Sequence, residues 1–257
     1  MKLIIHGALG RMGQTLTRLA REQDHELLAL VDRSASDEDL EASDPIHRKL
    51  TDIPEPAGVV VDFSHHSAVT GLLDYCVAQQ LPVVVATTGH TEEERAAIRD
   101  AAEQIPVFAS ANMSVGIALL RKLAQEAAAI MQGADIEIVD VHHNRKLDAP
   151  SGTALLLAEA IQEERPDSEL VYGRSGMEGR QPGEITIHAL RMGNVVGDHE
   201  IVFATDTETI RVKHEAHDRS LFAEGALRAA RFLADCKPGL YDMDDLLAAG
   251  QTGGQAP

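Results

Sequence analysis

The N-terminal segment of the chain joins a short apolar strand to a glycine-rich turn, and this pairing restricts the possible folds more than any other feature. The run Lys2–His6 is β-rich and ends at Gly7. Arg11–Glu22 follows as an amphipathic helix, because its apolar residues recur at helical spacing. A strand, a tight turn and a helix in this order predict the opening of a βαβ unit, in which helices cover a parallel sheet.

Strand-like and helix-like segments go on alternating through the first half of the chain. The next predicted strands are Glu26–Val31, Gly58–Phe63, Leu81–Ala86 and Pro106–Ala109, and the helices among them are Ser67–Gln79 and Thr91–Gln104. Thr91 and Glu94 have the spacing of a capping box at the start of the second of these helices. The alternation predicts an α/β fold with a Rossmann-like, doubly wound parallel sheet at the N-terminus.

The pattern changes after Asn112. A helix over Ser114–Met131, a strand over Asp135–Val141 and a helix over Thr153–Glu163 lead into Arg165–Gly183, which reads as a long loop. Three strand-like segments then follow without helices between them, and a last helix closes the pattern: Glu184–Arg191, Val195–Ala204, Thr209–His214 and Leu221–Ala234. This half predicts a C-terminal α+β domain with a mixed or antiparallel sheet.

The charge of the chain excludes several classes of partner. A formal net charge of -18 over 257 residues disfavours binding to nucleic acid or to an anionic membrane surface. No apolar stretch approaches the roughly 20 residues that span a bilayer. The two cysteines are far apart and lack a CxxC pattern, which is typical of a reduced, cytoplasmic setting. An anionic ligand must therefore be held by a local group of cations and N–H donors.

The first glycine turn resembles a dinucleotide-binding fingerprint. It reads Ala8-x-Gly10-x-x-Gly13 with Gly7 in front, so alanine stands at the first glycine position. Such a turn lets a pyrophosphate approach the N-terminus of the following helix. Asp32, about 20 residues on, can accept hydrogen bonds from a ribose, and the adjacent Arg33 can hold a 2′-phosphate. We therefore expect NADH or NADPH, although a tight turn and a solvated Asp-Arg pair remain alternative interpretations.

The loop from Asp140 to Ala154 carries the densest chemistry in the sequence. It places two histidines, His142 and His143, near Lys146, and it ends in Ser151-Gly152-Thr153 at a predicted helix N-terminus. N–H groups at such a terminus bind carboxylates, and histidine can donate a proton near neutral pH. Structural histidines and a simple helix cap are alternatives, and no third and fourth ligand is evident for a metal site. Together the residues predict a site for a small anion that needs a general acid.

This loop and several other segments resemble one known family. The pattern His142-His143-x-x-Lys146-x-Asp148-Ala149-Pro150-Ser151-Gly152-Thr153-Ala154 is similar to the signature of dihydrodipicolinate reductases. Further similar segments run through the chain in order: Gly10–Gly13, Val61–Ser64, Thr87–Gly89, Ala111–Ser114, Arg191–His199 and Arg219–Ala226. Ala86 departs from the family, which usually has glycine before Thr-Thr-Gly. The resemblance implies NAD(P)H-dependent reduction of a cyclic imine dicarboxylate in the diaminopimelate pathway of lysine biosynthesis.

The resemblance also implies residue roles. His142 would be the proton donor and Lys146 a second catalytic group, and the substrate would contact His143, Ser151, Gly152, Thr153 and Arg219. The cofactor would contact Gly7, Gly10, Arg11, Met12, Asp32, Arg33, Thr87, Thr88, Gly89, Ala111, Asn112 and Met113. We expect no metal.

The implied organisation is a dinucleotide-binding domain over 1–112 and 218–250, a substrate-binding and oligomerisation domain over 113–217, and a disordered tail over 251–257. Members of this family are typically homotetramers. Another small-molecule dehydrogenase is the alternative enzyme, although an acylating semialdehyde reductase needs a nucleophilic cysteine and Cys76 lies within a predicted helix. A nucleotide-sensing repressor is the alternative from another class, and the net charge opposes it.

Overall fold

The computed structural model describes residues 1–41 and 44–251, and they form two compact units. The first unit combines Met1–Ser114 with the chain from Ser220 onward, and the second is Val115–Arg219. The boundaries expected from the sequence were after residues 112 and 217. The binding roles assigned to the two domains stay predictions.

The first unit is built on a seven-stranded parallel sheet with the strand order β3-β2-β1-β4-β5-β6-β12. Its strands are β1 (Lys2–His6), β2 (Glu26–Val31), β3 (Ile46–His47), β4 (Val59–Asp62), β5 (Val83–Val85), β6 (Pro106–Ala109) and β12 (Gly239–Tyr241). Its helices are α1 (Arg11–Glu22), α2 (Asp37–Glu41), α3 (Val69–Gln79), α4 (Glu92–Ala102), α7 (Ser220–Leu233) and α8 (Met243–Gln251).

The central strands of this sheet are buried along their whole length. All residues of β4 and β5 are buried, because α1 packs with α7, and α3 with α4, over the sheet. The strand order reverses direction between β1 and β4, which is the place where ligands bind in open α/β sheets. The first unit therefore confirms the predicted doubly wound sheet. The capping box predicted at Thr91 and Glu94 is also confirmed.

The second unit is a five-stranded mixed sheet with the order β11-β10-β7-β9-β8. Its strands are β7 (Asp135–His142), β8 (Glu169–Tyr172), β9 (Glu184–Arg191), β10 (Gly197–Ala204) and β11 (Thr209–Ala216), and its helices are α5 (Val115–Ile130) and α6 (Gly152–Glu164). The first three strands in this order pair antiparallel and the last three pair parallel. The mixed sheet with two helices confirms the predicted α+β class.

A hydrophobic core joins the helices to one face of this mixed sheet. Ile136 and Ile138 of β7 lie in the core with residues of α5 and α6. Side chains alternate along a strand, so Asp140 and His142 continue on the same face at the end of β7. The candidate substrate loop thus begins on the helix-covered side of the sheet.

Several elements differ from the sequence-based expectation. Arg165–Gly183 contains β8, an edge strand that is at most half-buried and so shows little hydrophobic pattern. The short strands β3 and β12 and the helices α2 and α8 were not predicted. Of the predicted tail 251–257, Gln251 ends α8 and the rest lies outside the described residues. None of the described helices has both the length and the apolar character needed to cross a membrane.

Candidate active site

The glycine turn after β1 is closely packed against its surroundings. Gly7 has a φ of +79°, and a Cβ there would lie 2.7 Å from the backbone of Ser64. A Cβ on Gly13 would lie 2.1 Å from the carbonyl oxygen of Gly7, so α1 approaches the turn more closely than a side chain allows. Gly10 is the N-cap and brings no side chain to the first turn of α1, which contains Arg11 and Met12. This turn fits a pyrophosphate, since the first N–H groups of a helix have no intrahelical partner.

Asp32, at the end of β2, is held by the loops beside it. Its Oδ2 accepts a hydrogen bond from Leu9 N at 3.0 Å, and its Oδ1 accepts from Ser34 N at 2.9 Å and Ser34 Oγ at 2.7 Å. Partial burial would raise the pKa of Asp32, but the hydrogen bonds from Ser34 and Leu9 lower it below the ordinary value. The carboxylate is therefore ionised beside the glycine turn. Arg33 is exposed next to it.

A buried carboxylate lies where the sheet reverses direction. Asp62 is fully buried and contacts His6 Nδ1 at 2.8 Å, Ser64 N at 3.1 Å and Thr87 Oγ1 at 2.6 Å. Burial would raise its pKa, but the contact with His6 and the hydrogen bonds lower it. Asp62 thereby fixes Thr87, one of the predicted cofactor contacts, to the ends of β1 and β4.

The remaining predicted cofactor residues follow β5 and β6. Thr87, Thr88, Gly89 and Ala111 line one cavity of about 300 Å³. The next turn is fixed by Asn112, whose side-chain oxygen accepts a hydrogen bond from Ser114 N at 2.9 Å. Met113 is buried, and a Cβ on Gly225 of α7 would lie 1.7 Å from its carbonyl oxygen. These two loops are thus held at the carboxyl edge of the parallel sheet.

In the second unit, the predicted substrate loop is organised around Asp140. The carboxylate is fully buried. Its Oδ2 accepts hydrogen bonds from Ser151 N at 2.8 Å and Arg191 Nη2 at 3.1 Å, and its Oδ1 accepts from Ser151 Oγ at 2.9 Å. His142 Nδ1 and His199 Nε2 lie 2.8 and 3.3 Å from the same Oδ1. Burial would raise the pKa of Asp140, but His142, His199 and Ser151 bring it far below the ordinary value.

His142 is enclosed on three sides. Its approach to Asp140 is short but outside hydrogen-bond angles, so it is an electrostatic contact. The ring of His199 meets it edge to face, with centroids 5.3 Å apart. A Cβ on Gly197, two residues before His199 on β10, would lie 2.9 Å from His142 Nε2. These neighbours therefore leave the imidazole ring little room to move.

The anion-binding candidates surround the start of α6. Ser151 is the N-cap and accepts from Ala154 N at 3.2 Å, while Gly152 has open space beside it. Thr153 lies in the first turn of the same helix. Lys146 Nζ lies 2.9 Å from Asp148 Oδ2. Lys146 is thus in an ion pair with a half-exposed partner, which an incoming carboxylate can replace.

His143 and Arg219 add a hydrogen-bonding group and a positive charge to the second unit. Desolvation lowers the pKa of His143, and the nearby cations Arg145 and Arg219 lower it further. His143 is consequently a neutral hydrogen-bonding group at neutral pH, whereas Arg219 is exposed and charged.

Two family models match the chain over almost its whole length. "Dihydrodipicolinate reductase, N-terminus" matches residues 1–113, and "Dihydrodipicolinate reductase, C-terminus" matches residues 116–247. The chain belongs to the dihydrodipicolinate reductase family. The resemblance inferred from the sequence motifs is thereby confirmed.

Individual reductases agree with this assignment. The 4-hydroxy-tetrahydrodipicolinate reductase of Caldanaerobacter subterraneus subsp. tengcongensis is 47% identical over 97% of this chain and 99% of its own. That of Alkaliphilus oremlandii is 43% identical over 96% and 98%. A dipicolinate-bound dihydrodipicolinate reductase from Paenisporosarcina sp. TG-14 has a TM-score of 0.79 at 25% identity, covering 94% of this chain and 97% of that one. A probable dehydrogenase from Thermotoga maritima, 12% identical with a TM-score of 0.64 over 97% and 93% of the two chains, shows the fold alone.

Four residues that belong to the polar clusters around the candidate residues Thr87 and His142 were not predicted from the sequence: His6, Asp62, Asp140 and His199. His6 and Asp62 occupy paired positions at the ends of β1 and β4, and His199 pairs with Asp140 across β10 and β7. A signal was present, since each carboxylate is the second-last residue of a predicted strand, Asp62 in Gly58–Phe63 and Asp140 in Asp135–Val141. The histidine partners could be found only with the strand register.

Among the described residues, Asp140, His142 and His199 form the one group arranged like metal ligands. Sequence reasoning found no third ligand for His142, and the fold provides one in His199. However, the guanidinium of Arg191 donates to the same carboxylate. A cation beside a guanidinium is electrostatically disfavoured, so these residues fit a hydrogen-bonded cluster better than a divalent metal site.

Proposed function

We propose that this chain catalyses the NADH- or NADPH-dependent reduction of 4-hydroxy-tetrahydrodipicolinate to tetrahydrodipicolinate, in the diaminopimelate pathway of lysine biosynthesis. The observation that carries the proposal is the His142–Asp140 cluster at the N-terminus of α6, in a chain whose first unit has a dinucleotide turn. The 47% identical relative bears the name of this reductase.

The proposed cofactor site lies in the first unit. The uncapped start of α1 would take the pyrophosphate, Asp32 the adenine ribose, and Arg33 a 2′-phosphate. The loops after β5 and β6 would hold the nicotinamide end through Thr87, Thr88, Gly89, Ala111, Asn112 and Met113. A bound nicotinamide supplies the hydride.

The proposed substrate site lies in the second unit. One carboxylate of the substrate would accept hydrogen bonds from the amides of Gly152 and Thr153 and from the hydroxyl of Thr153 at the helix N-terminus. Ser151, whose own N–H and hydroxyl donate to Asp140, would hold that terminus in place beside the substrate. His143, Lys146 and Arg219 would bind the second carboxylate. In a chain of net charge -18, this local group of donors is what allows an anion to bind.

His142 is the proposed proton donor. Hydride addition to the conjugated imine leaves electron density on the neighbouring enamine carbon, and a protonated imidazole can transfer a proton to that carbon. Lys146 and the N-terminus of α6 would stabilise the negative charge that develops during hydride transfer.

We further propose that the enzyme is a cytoplasmic homotetramer. The face of the mixed sheet opposite α5 and α6 carries Val139, Val141 and Val202, which are half-buried in the single chain, and the more exposed Leu190. Such a face is suited to packing against another sheet. Light scattering of the purified enzyme should give four times the mass of one chain, and a monomeric mass would contradict the proposal.

The experiment that tests the activity is NADH and NADPH oxidation coupled to dihydrodipicolinate synthase. Wild-type enzyme should consume cofactor only when the synthase supplies substrate. A His142→Gln, Lys146→Ala double variant should lose turnover, whereas His188→Gln, on neighbouring β9, should retain it. Absence of oxidation by wild type, or unchanged turnover in the double variant, would refute the reductase assignment.

A further inference from the structure

We propose that Asp140 is a positioning residue of this reductase, which holds His142 through Nδ1 and thereby makes Nε2 the atom that delivers the proton. The inference rests on the proposed function, in which His142 is the donor. Asp140 itself need not touch the substrate, because it acts through the imidazole.

The burial of Asp140 is the first observation. A buried carboxylate is costly unless donors surround it. Here the backbone N–H of Ser151, its hydroxyl and Arg191 all donate to the carboxylate, and two histidine nitrogens lie within 3.3 Å of Oδ1. These groups come from α6, β9, β7 and β10, so the carboxylate is fixed from several directions. A group fixed in this way can in turn fix the orientation of His142.

The distance between His142 Nδ1 and Asp140 determines where the ring protons lie. Nδ1 is 2.8 Å from Oδ1, and two lone pairs at that separation would repel, so Nδ1 carries a proton. The hydrogen-bonding partner of one ring nitrogen sets the role of the other. Nε2 is then the nitrogen free to gain and lose a proton. The missing side chain at Gly197 leaves room at this end of the ring.

The proton transfer balances on these atoms. The imidazolium of His142 breaks its Nε2–H bond, and the substrate carbon that gained electron density from the hydride forms a C–H bond. The imidazole remains neutral and keeps its Nδ1 proton toward Asp140, and a proton from solvent then restores the imidazolium. Asp140 stays ionised throughout and stabilises the cationic form of His142.

Other titratable groups face this pair and enter any pH dependence. Arg191 faces Asp140 from β9, and His199 faces both Asp140 and His142 from β10. His214 pairs with His199 from β11, and burial together with His199 lowers the pKa of His214. Arg191 is itself a cation, so the negative charge that His142 meets comes from Asp140.

Asp140→Asn is the direct test. The amide has no negative charge to stabilise a protonated ring, and with its NH2 group toward Nδ1 it favours the opposite neutral tautomer. The kcat of the variant should fall by about 10²–10⁴-fold, as is usual when a histidine loses its orienting carboxylate, with a smaller change in KM. The alkaline limb of the kcat–pH profile should move to lower pH, and Asp140→Glu should recover part of kcat.

Glu137→Gln is a matched control on the same strand. Glu137 Oε2 lies 2.7 Å from His188 Nε2, and Arg180 contacts the same carboxylate, so the chemistry is alike, but the pair lies on the opposite face of the sheet. This variant should leave kcat and its pH profile unchanged, and light scattering should show the same mass as wild type. An equal loss in both variants would indicate a general structural effect and overturn the proposal.

The ¹⁵N spectrum of histidine-labelled wild type gives a readout that does not depend on the folding of any variant. It should show His142 protonated at Nδ1 in the neutral state, and a proton at Nε2 alone would overturn the proposal. Normal kcat in a folded Asp140→Asn variant would also overturn it while leaving the reductase activity established. A wild type that oxidises no cofactor would instead refute the proposed function. The tautomer of His142 would then still show whether Asp140 holds the ring through Nδ1.

Discussion

Replacing Gly197 by alanine tests whether the position of the His142 ring limits the proposed reaction. The added Cβ would lie 2.9 Å from Nε2 and 3.4 and 3.5 Å from Cδ2 and Cε1. Ordinary van der Waals contact begins at about 3.5 Å. The Nε2 end must therefore move away by the difference between these distances, about 0.6 Å.

The expected effect on activity exceeds the effect on stability. A displacement of 1 Å in a catalytic group can cost about 10²-fold in rate, so 0.6 Å should lower kcat by about tenfold. Overpacking lowers the free energy of unfolding by about 1–3 kcal/mol. We expect the lower end of this range, because a side-chain ring, rather than the backbone, has to move. The thermal midpoint should drop by only a few degrees.

Steady-state kcat from the coupled assay, measured beside a thermal melt, checks this expectation. Gly133→Ala is the control, since a Cβ at Gly133 of the same unit meets nothing within 4 Å, and it should behave as wild type. If Gly197→Ala kept wild-type kcat, the position of the His142 ring would not limit catalysis, and the geometric reasoning would be wrong.

Three further outcomes follow from contacts elsewhere in the chain. Gly13→Ala places a Cβ 2.1 Å from the Gly7 carbonyl oxygen. Urea unfolding should therefore show a free energy of unfolding lower by about 3 kcal/mol, and NADH titration should show no binding. The control Gly71→Ala, whose Cβ meets nothing within 4 Å, should instead raise the free energy of unfolding by up to about 1 kcal/mol. Ser151→Ala removes the cap of α6 and a hydrogen bond to Asp140. It should lower the free energy of unfolding, measured by urea, by about 1–2 kcal/mol. The lowered pKa of Asp140 means that its stabilisation is complete above the ordinary aspartate pKa of about 4 and is lost as the pH falls below it; urea midpoints of wild type should therefore drop on acidification more steeply than those of Asp140→Asn.

The fold could be predicted wherever local periodicity and burial agree. Strands such as Val59–Asp62 are buried on both faces, so a continuous apolar run marked them. The edge strands Ile46–His47 and Glu169–Tyr172 were missed because they are short and only partly buried. Their pairing with neighbouring strands stabilises them, and a single-sequence pattern does not show that pairing.

The candidate site could be predicted only where it is continuous in sequence. His142, Lys146 and Ser151 belong to one loop, so their residue types alone indicated an anion site with a proton donor. His199 reaches the same cluster from a strand 57 residues away, because β10 pairs with β7 in a register that sets it opposite Asp140. The alternation of side chains along a strand could place each of these residues on one face of the sheet. Only the register between β7 and β10 brings His199 and Asp140 together.

Both units solve the same electrostatic problem in the same way. Each proposed ligand is an anion, yet each unit keeps a fully buried aspartate among the predicted site residues, Asp62 in one and Asp140 in the other. In both cases a histidine, a backbone N–H and a hydroxyl surround the carboxylate, and in the second unit Arg191 adds a full positive charge. These donors stabilise the negative charge, and the donors themselves become fixed. A buried acid can therefore order an anion-binding loop, provided that its donors come from that loop, as Thr87 and Ser151 do.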